Sequence, residues 1–268
     1  MLQLENVSFK VPAPGGEREI IREVSLKLPA GRLVVVTGPN GGGKSTIARL
    51  IAGIEKPSAG RILLDGEDIT DKSVTERARL GIGYAFQQPV RFKGVRVIDL
   101  LRLATGKQLS TSEACEYLAA VGLCAQDYVR REVNASLSGG ELKRIEIATV
   151  FAKGSKVSVF DEPEAGIDLW SFQNLIGVFQ EMRRAIRDAA ILVISHQERI
   201  LEIADEIVVL KDGAVLKRGP KVAVLPSLLG TEFAVGSCPR NGRGRFEGLP
   251  LGRLDGRTAP ESEKEAAE

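Results

Sequence analysis

The chain has 268 residues, of which 43% are hydrophobic and 27% are charged, a composition typical of a globular protein rather than a disordered one. Its 37 lysines and arginines nearly balance 35 aspartates and glutamates, so a net charge of +2 provides no field that favours nucleic acid or an anionic membrane. The apolar runs are far shorter than the roughly 20 residues that span a bilayer, and the amino terminus lacks the apolar region of a signal peptide. We therefore expect a cytoplasmic protein that binds no nucleic acid and does not insert into a membrane.

Two strands are predicted at the amino terminus, over residues 2–11 and 20–28, with the turn residues Pro12–Gly16 between them. From Leu33 onward, short apolar strands alternate with helical periodicity, which indicates βαβ units and a mainly parallel sheet. The fold class is therefore α/β.

Strand signals fade between Gln88 and Ala135, where helical spacing predicts a small helical insertion. Further on, an Asp-Gly turn between two apolar runs predicts a closing hairpin over residues 207–216. The polar segment that starts near Gly236 is predicted to be disordered. Cys115, Cys124 and Cys238 lack CxxC spacing, so we expect two small core residues and one tail residue rather than disulfides or a metal cage.

Three predicted strands end in polar residues: Thr37 and Gly38 after the first, Asp161 and Glu162 after the second, Ser195 and His196 after the third. Ligands of open α/β sheets bind beyond the carboxyl ends of the strands, so these groups are expected at one edge.

Residues 38–45 fit the pattern G-x-x-x-x-G-K-[ST], with an apolar strand before them and an amphipathic helix after them. The glycines allow successive backbone N–H groups to surround a polyphosphate, and the helix directs its positive end at the same anion. The lysine adds a charge toward the β- and γ-oxygens, and the serine hydroxyl is a hard ligand for Mg²⁺. The predicted phosphate-binding residues are Gly38, Pro39, Asn40, Gly41, Gly42, Gly43, Lys44, Ser45 and Thr46.

Asp161 and Glu162 follow a buried strand, where the first can hold Mg²⁺ and the second can deprotonate an attacking water. Acids at this position also cap helices in many proteins.

The sequence Ser138-Gly-Gly-Glu141 opens a helix whose unguarded end could bind an anion, although a plain N-cap is the alternative. His196, the single histidine, is either a structural residue or a γ-phosphate contact.

Taken in order, these motifs, with Gln87 and the acidic segment that ends at Asp168, resemble the ATP-binding cassette (ABC) ATPases from Met1 to about Val224. The resemblance implies an ABC-type nucleotide-binding domain with a mainly parallel sheet, an antiparallel β subdomain and a helical subdomain. It implies a core over residues 1–88 and 136–224, the helical subdomain over 89–135, and a partly disordered extension over 225–268.

The resemblance also implies hydrolysis of ATP with Mg²⁺ between two copies of the chain that close head to tail. Glu162, Gln87 and His196 are the implied catalytic residues, and Ser45, Gln87 and Asp161 the implied metal ligands. Ser138, Gly139, Gly140 and Glu141 are implied to face the nucleotide of the second copy, and Asp168 to lie in a loop that crosses the dimer. At Val11, an aromatic residue that stacks on adenine in many members is replaced by valine.

Three stretches resemble the SUF-type iron–sulfur cluster assembly ATPases: Ala85–Val95, Ser138–Arg144 with Asp161–Asp168, and His196–Leu201. We therefore expect this branch, which implies iron–sulfur cluster assembly with a soluble scaffold as partner, and keep a transporter subunit as the alternative. Leu137 and Pro163 instead resemble the ATP-binding subunits of transporters, whose partner is a membrane permease. A nucleotide switch without hydrolysis is the third alternative, disfavoured by the catalytic residues present. In each case Pro89–Leu101 is the expected docking surface, basic through Arg91, Lys93 and Arg96, although these charges also suit a plain solvated face.

Overall fold

The computed structural model describes residues 1–134, 136–185 and 188–232. In this part of the chain ten strands form two sheets. The strands are β1 (Leu2–Ala13), β2 (Gly16–Leu28), β3 (Leu33–Thr37), β4 (Ala59–Leu64), β5 (Glu67–Asp68), β6 (Ile82–Ala85), β7 (Val157–Asp161), β8 (Ala190–Ile194), β9 (Glu206–Lys211) and β10 (Ala214–Pro220). The helices are α1 (Lys44–Ala52), α2 (Val74–Leu80), α3 (Val97–Thr105), α4 (Thr111–Ala120), α5 (Ala125–Tyr128), α6 (Gly139–Lys153), α7 (Leu169–Ala185), α8 (Glu198–Ile203) and α9 (Lys221–Glu232).

The smaller sheet is antiparallel, with the strand order β2-β1-β4-β5. Both amino-terminal strands are longer than predicted, because Ala13 pairs with Gly16 and the turn consists of Pro14 and Gly15 alone. Gly15 has a φ of +93°, a conformation that glycine adopts without strain. The five-residue turn expected from the sequence is therefore wrong.

The larger sheet has the order β10-β9-β3-β8-β7-β6 and is parallel except for β10 at its edge. β9 and β10 form the predicted hairpin, and its turn residues Asp212 and Gly213 both have positive φ, as a type I′ turn requires. The α/β class with an added antiparallel sheet is confirmed. Because β3, β8 and β7 are neighbours, the three polar strand ends do meet at one edge of this sheet.

Two hydrophobic clusters cover opposite faces of the parallel sheet, as the alternation within β3 shows. Leu33 and Val35 belong to a cluster with the helices α3, α4, α6 and α7, while Val34 and Val36 belong to one with α1 and the antiparallel sheet. α1 packs through buried residues that include Ile47, Leu50 and Ile51. Ile54 lies beyond the end of α1 and is 38% exposed.

Helices α3 and α4 lie where helical spacing was predicted, and the exact bounds of a helical subdomain stay a prediction.

Cys115 is half-buried against the core, but Cys124 is exposed, so the expectation of two core cysteines is wrong for the second. The predicted extension begins inside α9, and its remainder from residue 233, including Cys238, lies outside the described residues. Among the helices described, none is long and apolar enough to cross a membrane.

Candidate functional site

The phosphate loop connects β3 to α1 and packs closely against β9 and β2. A Cβ atom on Gly38 would lie 2.0 Å from the backbone oxygen of Leu210, and one on Gly43 would lie 2.5 Å from Cδ1 of Ile21. Both glycines also have positive φ, +134° and +96°. The glycine pattern therefore reflects a steric requirement here, and it leaves the loop backbone free to face an anion.

Lys44 is the first residue of α1 and is only 6% exposed. Its Nζ donates hydrogen bonds to the backbone oxygens of Gly38 (2.9 Å) and Pro39 (3.0 Å), so the ammonium group lies within the curve of the loop. The adjacent end of α1 carries the positive pole of the helix dipole. Charge, N–H groups and curvature together form a site for a polyphosphate.

Ser45 and Asp161 bring α1 and β7 together. Ser45 Oγ donates a 2.9 Å hydrogen bond to Oδ1 of Asp161, whose side chain is 1% exposed. Burial raises the pKa of the Asp161 carboxyl, and hydrogen bonds from Ser45 and Tyr84 oppose that shift. A hydroxyl and a buried carboxylate beside a phosphate site are the hard oxygen donors that Mg²⁺ prefers, so these residues fit the ion.

Gln87 and Glu162 contact each other directly. Gln87 Nε2 donates a 2.7 Å hydrogen bond to Oε2 of Glu162. Glu162 has a φ of +45°, unusual for a non-glycine residue, and its N–H is held by the backbone oxygen of Ile194 at 3.0 Å. Such local strain is concentrated at functional sites, where the surrounding structure fixes a side chain in one direction. In this protein the backbone conformation of Glu162 fixes its carboxylate at the carboxyl-terminal edge of the parallel sheet, where it contacts Gln87.

The segment before Gln87 is held to α6 by two ionic side chains that the sequence did not indicate, one fully buried and one 15% exposed. Glu146 Oε1 accepts a 2.9 Å hydrogen bond from Phe86 N, and Lys143 Nζ donates to Phe86 O. Lys143 is fully buried and also lies 3.4 Å from Asp161 O. Burial lowers the pKa of Lys143, an effect that Glu146 opposes. The strand ends and α6 thus share one network.

The start of α6 is a capping box. Glu141 Oε2 accepts a 2.6 Å hydrogen bond from Ser138 N, and Ser138 Oγ accepts one of 3.2 Å from Glu141 N. Tyr128 Oη donates to the other carboxylate oxygen, Oε1 of Glu141. The plain N-cap that the sequence left open is therefore present, while Ser138 and Gly139 remain exposed. A Cβ on Gly140 would lie 2.8 Å from Gly166 O, so this end of α6 touches the loop that follows β7.

His196 lies beside the phosphate loop. It is exposed, follows β8 by two residues, and lines a cavity of about 210 Å³ together with Gly38. Ser195, the residue before it, is fully buried and donates a 2.5 Å hydrogen bond to Oε1 of Glu164. Glu164 thereby joins the loop after β7 to the loop that carries His196, a link that no motif revealed.

Asp168 lies at the start of α7. Its Oδ1 accepts from Ser171 N at 3.0 Å and its Oδ2 from Ser171 Oγ at 2.7 Å, as a helix-capping aspartate does. At the other end of the predicted site, Val11 is half-buried on β1 opposite Arg18, and Phe9 packs into the core. The roles assigned to Asp168 and to position 11 from the resemblance stay predictions.

The structure therefore joins residues 38–46, Asp161, Glu162, Gln87 and His196 at one sheet edge. The hydrogen bonds described for Ser138 and Glu141 stay within their own segment and α5.

Comparison with known proteins gives one family. Residues 21–165 match the family described as ABC transporter. An uncharacterised ABC transporter ATP-binding protein of Methanocaldococcus jannaschii is 39% identical over 212 residues, covering 76% of this chain and 84% of the relative. The sulfate/thiosulfate import ATP-binding protein CysA of Thermosynechococcus vestitus is 33% identical over 226 residues, covering 81% and 63%. A solved dimeric ATP-binding cassette in a post-hydrolysis state, bound to ADP and Pi, shares the fold with a TM-score of 0.74 at 23% identity, covering 82% and 99%.

Proposed function

The chain belongs to the ABC transporter family of ATPases, and we propose that it is the ATP-binding subunit of an ABC membrane transporter, held at the cytoplasmic face by a permease. The observation that carries this proposal is an apolar surface groove joined directly to the catalytic edge through the segment Phe86–Gln87. The names of the relatives support the same function, since they are ATP-binding components of transporters.

Each residue of the site has a chemical role in this proposal. The N–H groups of the phosphate loop and the ammonium group of Lys44 bind the triphosphate. Ser45 and Asp161 hold Mg²⁺, which when bound neutralises developing charge on the phosphate oxygens. Glu162 accepts a proton from the attacking water, and Gln87 orients the Glu162 carboxylate through their hydrogen bond. His196 contacts the γ-phosphate from the end of β8.

A second copy of the chain completes the site. Ser138 and Gly139 are exposed at the positive end of the 15-residue helix α6, where an anion is favourable. Glu141 is occupied within its own chain by Tyr128 and by the capping box, so it supports the shape of this helix end rather than the nucleotide. We infer that the opposite copy's triphosphate meets this end in a head-to-tail dimer.

The partner binds at a groove formed by two adjoining depressions of about 420 and 170 Å³, which we call the Phe86 groove. The depressions share the lining residues Tyr84, Phe86, Leu100, Thr149 and Val150. Exposed apolar side chains surround them, among them Phe92 (42%) and Leu103 (76%). Exposed patches of this kind mark interaction sites.

The expected docking range Pro89–Leu101 needs revision. Val97 and Leu101 are fully buried on the inner face of α3, whereas Leu103, outside that range, is the most exposed apolar residue at the groove. Arg91 and Lys93 are exposed beside the apolar lining. The complementary partner is a helix with an apolar face and acidic flanks, a shape and charge that a cytoplasmic segment of a permease can supply.

A soluble iron–sulfur scaffold is the competing partner, favoured by the sequence similarity of Ser138–Arg144 and His196–Leu201 to the SUF-type ATPases. The names of the relatives favour the permease instead. The two functions differ in one observable property, since a permease remains in the membrane until detergent is added and a scaffold does not.

The test is sedimentation of the tagged chain with membranes of the source organism, comparing wild type with Leu103→Asp. Val222→Asp is a matched control, because Val222 is 78% exposed and lies on α9, away from the groove. We expect wild type and V222D to sediment with membranes and to leave them in detergent bound to an integral membrane protein, and L103D to lose at least about tenfold of that binding. Recovery of the wild-type chain with a soluble scaffold, without detergent, would establish the SUF-type function instead.

A further inference from the structure

Tyr84 lies on β6 and contacts Asp161 on the neighbouring strand. Its Oη donates a hydrogen bond of 3.2 Å to Oδ2 of Asp161, while Ser45 Oγ donates one of 2.9 Å to Oδ1. Each oxygen of the buried carboxylate therefore has its own hydroxyl donor, one from each side. Two donors at fixed positions define the plane of a carboxylate, whereas one donor leaves it free to rotate.

The ring of Tyr84 is held in place by its surroundings. It packs edge-to-face on Phe86, with 4.8 Å between ring centroids, and lines both depressions of the Phe86 groove. The Tyr84 phenol carries a hydroxyl hydrogen, so it can donate to the Asp161 carboxylate. A rigid ring with a permanent donor is suited to orienting a metal ligand.

We propose that Tyr84 is a positioning residue of the Mg²⁺ site, whose phenol fixes the carboxylate of Asp161 in the orientation that binds the ion. This inference rests on the proposed role of Asp161 as a metal ligand. Groups that hydrogen-bond to a metal ligand set its direction, and their loss typically lowers metal affinity by about 10–100-fold. No sequence motif pointed to Tyr84, because its partner is 77 positions away in the chain.

The decisive variant is Tyr84→Phe, which keeps the ring in the groove and removes only the donor. Binding of a non-hydrolysable ATP analogue is measured from the rise in thermal midpoint, first in EDTA and then across a Mg²⁺ titration. We expect Y84F to raise the half-saturating Mg²⁺ concentration about tenfold. Its midpoint without nucleotide and its analogue affinity in EDTA should stay at the wild-type values, since the packing and the phosphate loop are intact.

Tyr117→Phe is the matched control, because Tyr117 packs on Phe151 within the helical region and is not part of the site.

Asp161→Asn separates this inference from the proposal on which it rests. If D161N keeps a wild-type Mg²⁺ titration, the proposed metal site is wrong. If D161N loses the Mg²⁺ response while Y84F titrates like wild type, the metal site stands and the role of Tyr84 is refuted. A lower midpoint of Y84F without nucleotide, with an unchanged Mg²⁺ titration, would assign Tyr84 a packing role only and would also refute it.

Discussion

Gln87 Nε2 donates a 2.7 Å hydrogen bond to Glu162 Oε2, although the two residues are 75 positions apart in the chain. Gln87 follows Phe86, whose ring lines the proposed partner groove, and Glu162 is the proposed general base. A movement of the groove therefore reaches the base through one residue and one hydrogen bond. This relationship gives a physical route by which a bound partner and hydrolysis can influence each other.

Glu162→Gln should lower steady-state hydrolysis of ATP by about 10²–10⁴-fold, because the amide keeps the shape of the side chain and cannot accept a proton. Phosphate release at saturating MgATP measures the effect. Glu116→Gln, a matched change at an exposed glutamate of α4, should leave the rate unchanged. Turnover of E162Q within twofold of wild type would mean that Glu162 is not the base.

The same variant should accumulate as a dimer. ATP that is bound and not hydrolysed keeps both sites filled, so E162Q with MgATP should elute at twice the monomer mass in size exclusion, and as a monomer in EDTA without nucleotide. Ser138→Asp places a negative charge at the end of α6 and should prevent that dimer in the double variant, since it repels the partner's triphosphate. A double variant that still dimerises would argue against the head-to-tail arrangement.

Gly38→Ala should destabilise the chain and abolish nucleotide binding. The added Cβ would lie 2.0 Å from Leu210 O at a φ of +134°, so β9 and the loop must separate, at a cost of at least about 3 kcal/mol. Gly41→Ala is the comparison, because it has a positive φ but open space around the added atom, and it should cost about 1–2 kcal/mol. Urea unfolding gives both values, and equal losses in the two variants would show that the contact with Leu210 does not matter.

Arg77→Met should lower the free energy of unfolding by about 3–5 kcal/mol. The fully buried guanidinium donates hydrogen bonds to four backbone oxygens, two of them, on Leu50 and Ile51, at the carboxyl end of α1. Its loss would remove a donor from each of these oxygens, leaving Leu50 O with only the 3.3 Å hydrogen bond from Gly53 N, and would remove a positive charge from the negative end of the phosphate-binding helix. Arg79→Met on the same helix is exposed and should change stability by less than about 0.5 kcal/mol in urea unfolding.

Because of the capping box of α6, the free energy of unfolding should decrease in acid. Hydrogen bonds from Tyr128 and from Ser138 N lower the pKa of Glu141 below its usual 4.5. The stability that the Glu141 carboxylate contributes is therefore complete above pH 4.5, near its pKa in the unfolded chain. It is lost as the pH falls through the lower pKa of Glu141 in the folded chain. Wild type should be more stable than Glu141→Gln at pH 7, and the difference in urea midpoint should shrink below pH 4.5. A difference that stays constant down to pH 3 would contradict the lowered pKa.

The phosphate loop, the acidic pair after β7 and the cap of α6 could be predicted from the sequence because each is a local device. Each of these features depends on only a few neighbouring residues. The spacing of glycines, the end of a strand, or a serine three residues before a glutamate determines the local backbone conformation independently of the rest of the chain. The alternation within β3 likewise determined which residues face each core cluster. Local chemistry was enough to place most of the site at one sheet edge.

Only the tertiary structure decided which distant side chains support that edge. Tyr84 on Asp161, Lys143 on Phe86 and Glu164 on Ser195 join segments that no periodicity relates, because strand order and helix packing bring them together. The same packing exposed Cys124, which was expected in the core, and buried Leu101, which was expected on the docking surface. Sequence patterns determine the elements and the groups they carry, since those depend on near neighbours. Contacts between elements depend on the geometry of the whole fold, which a local pattern does not contain.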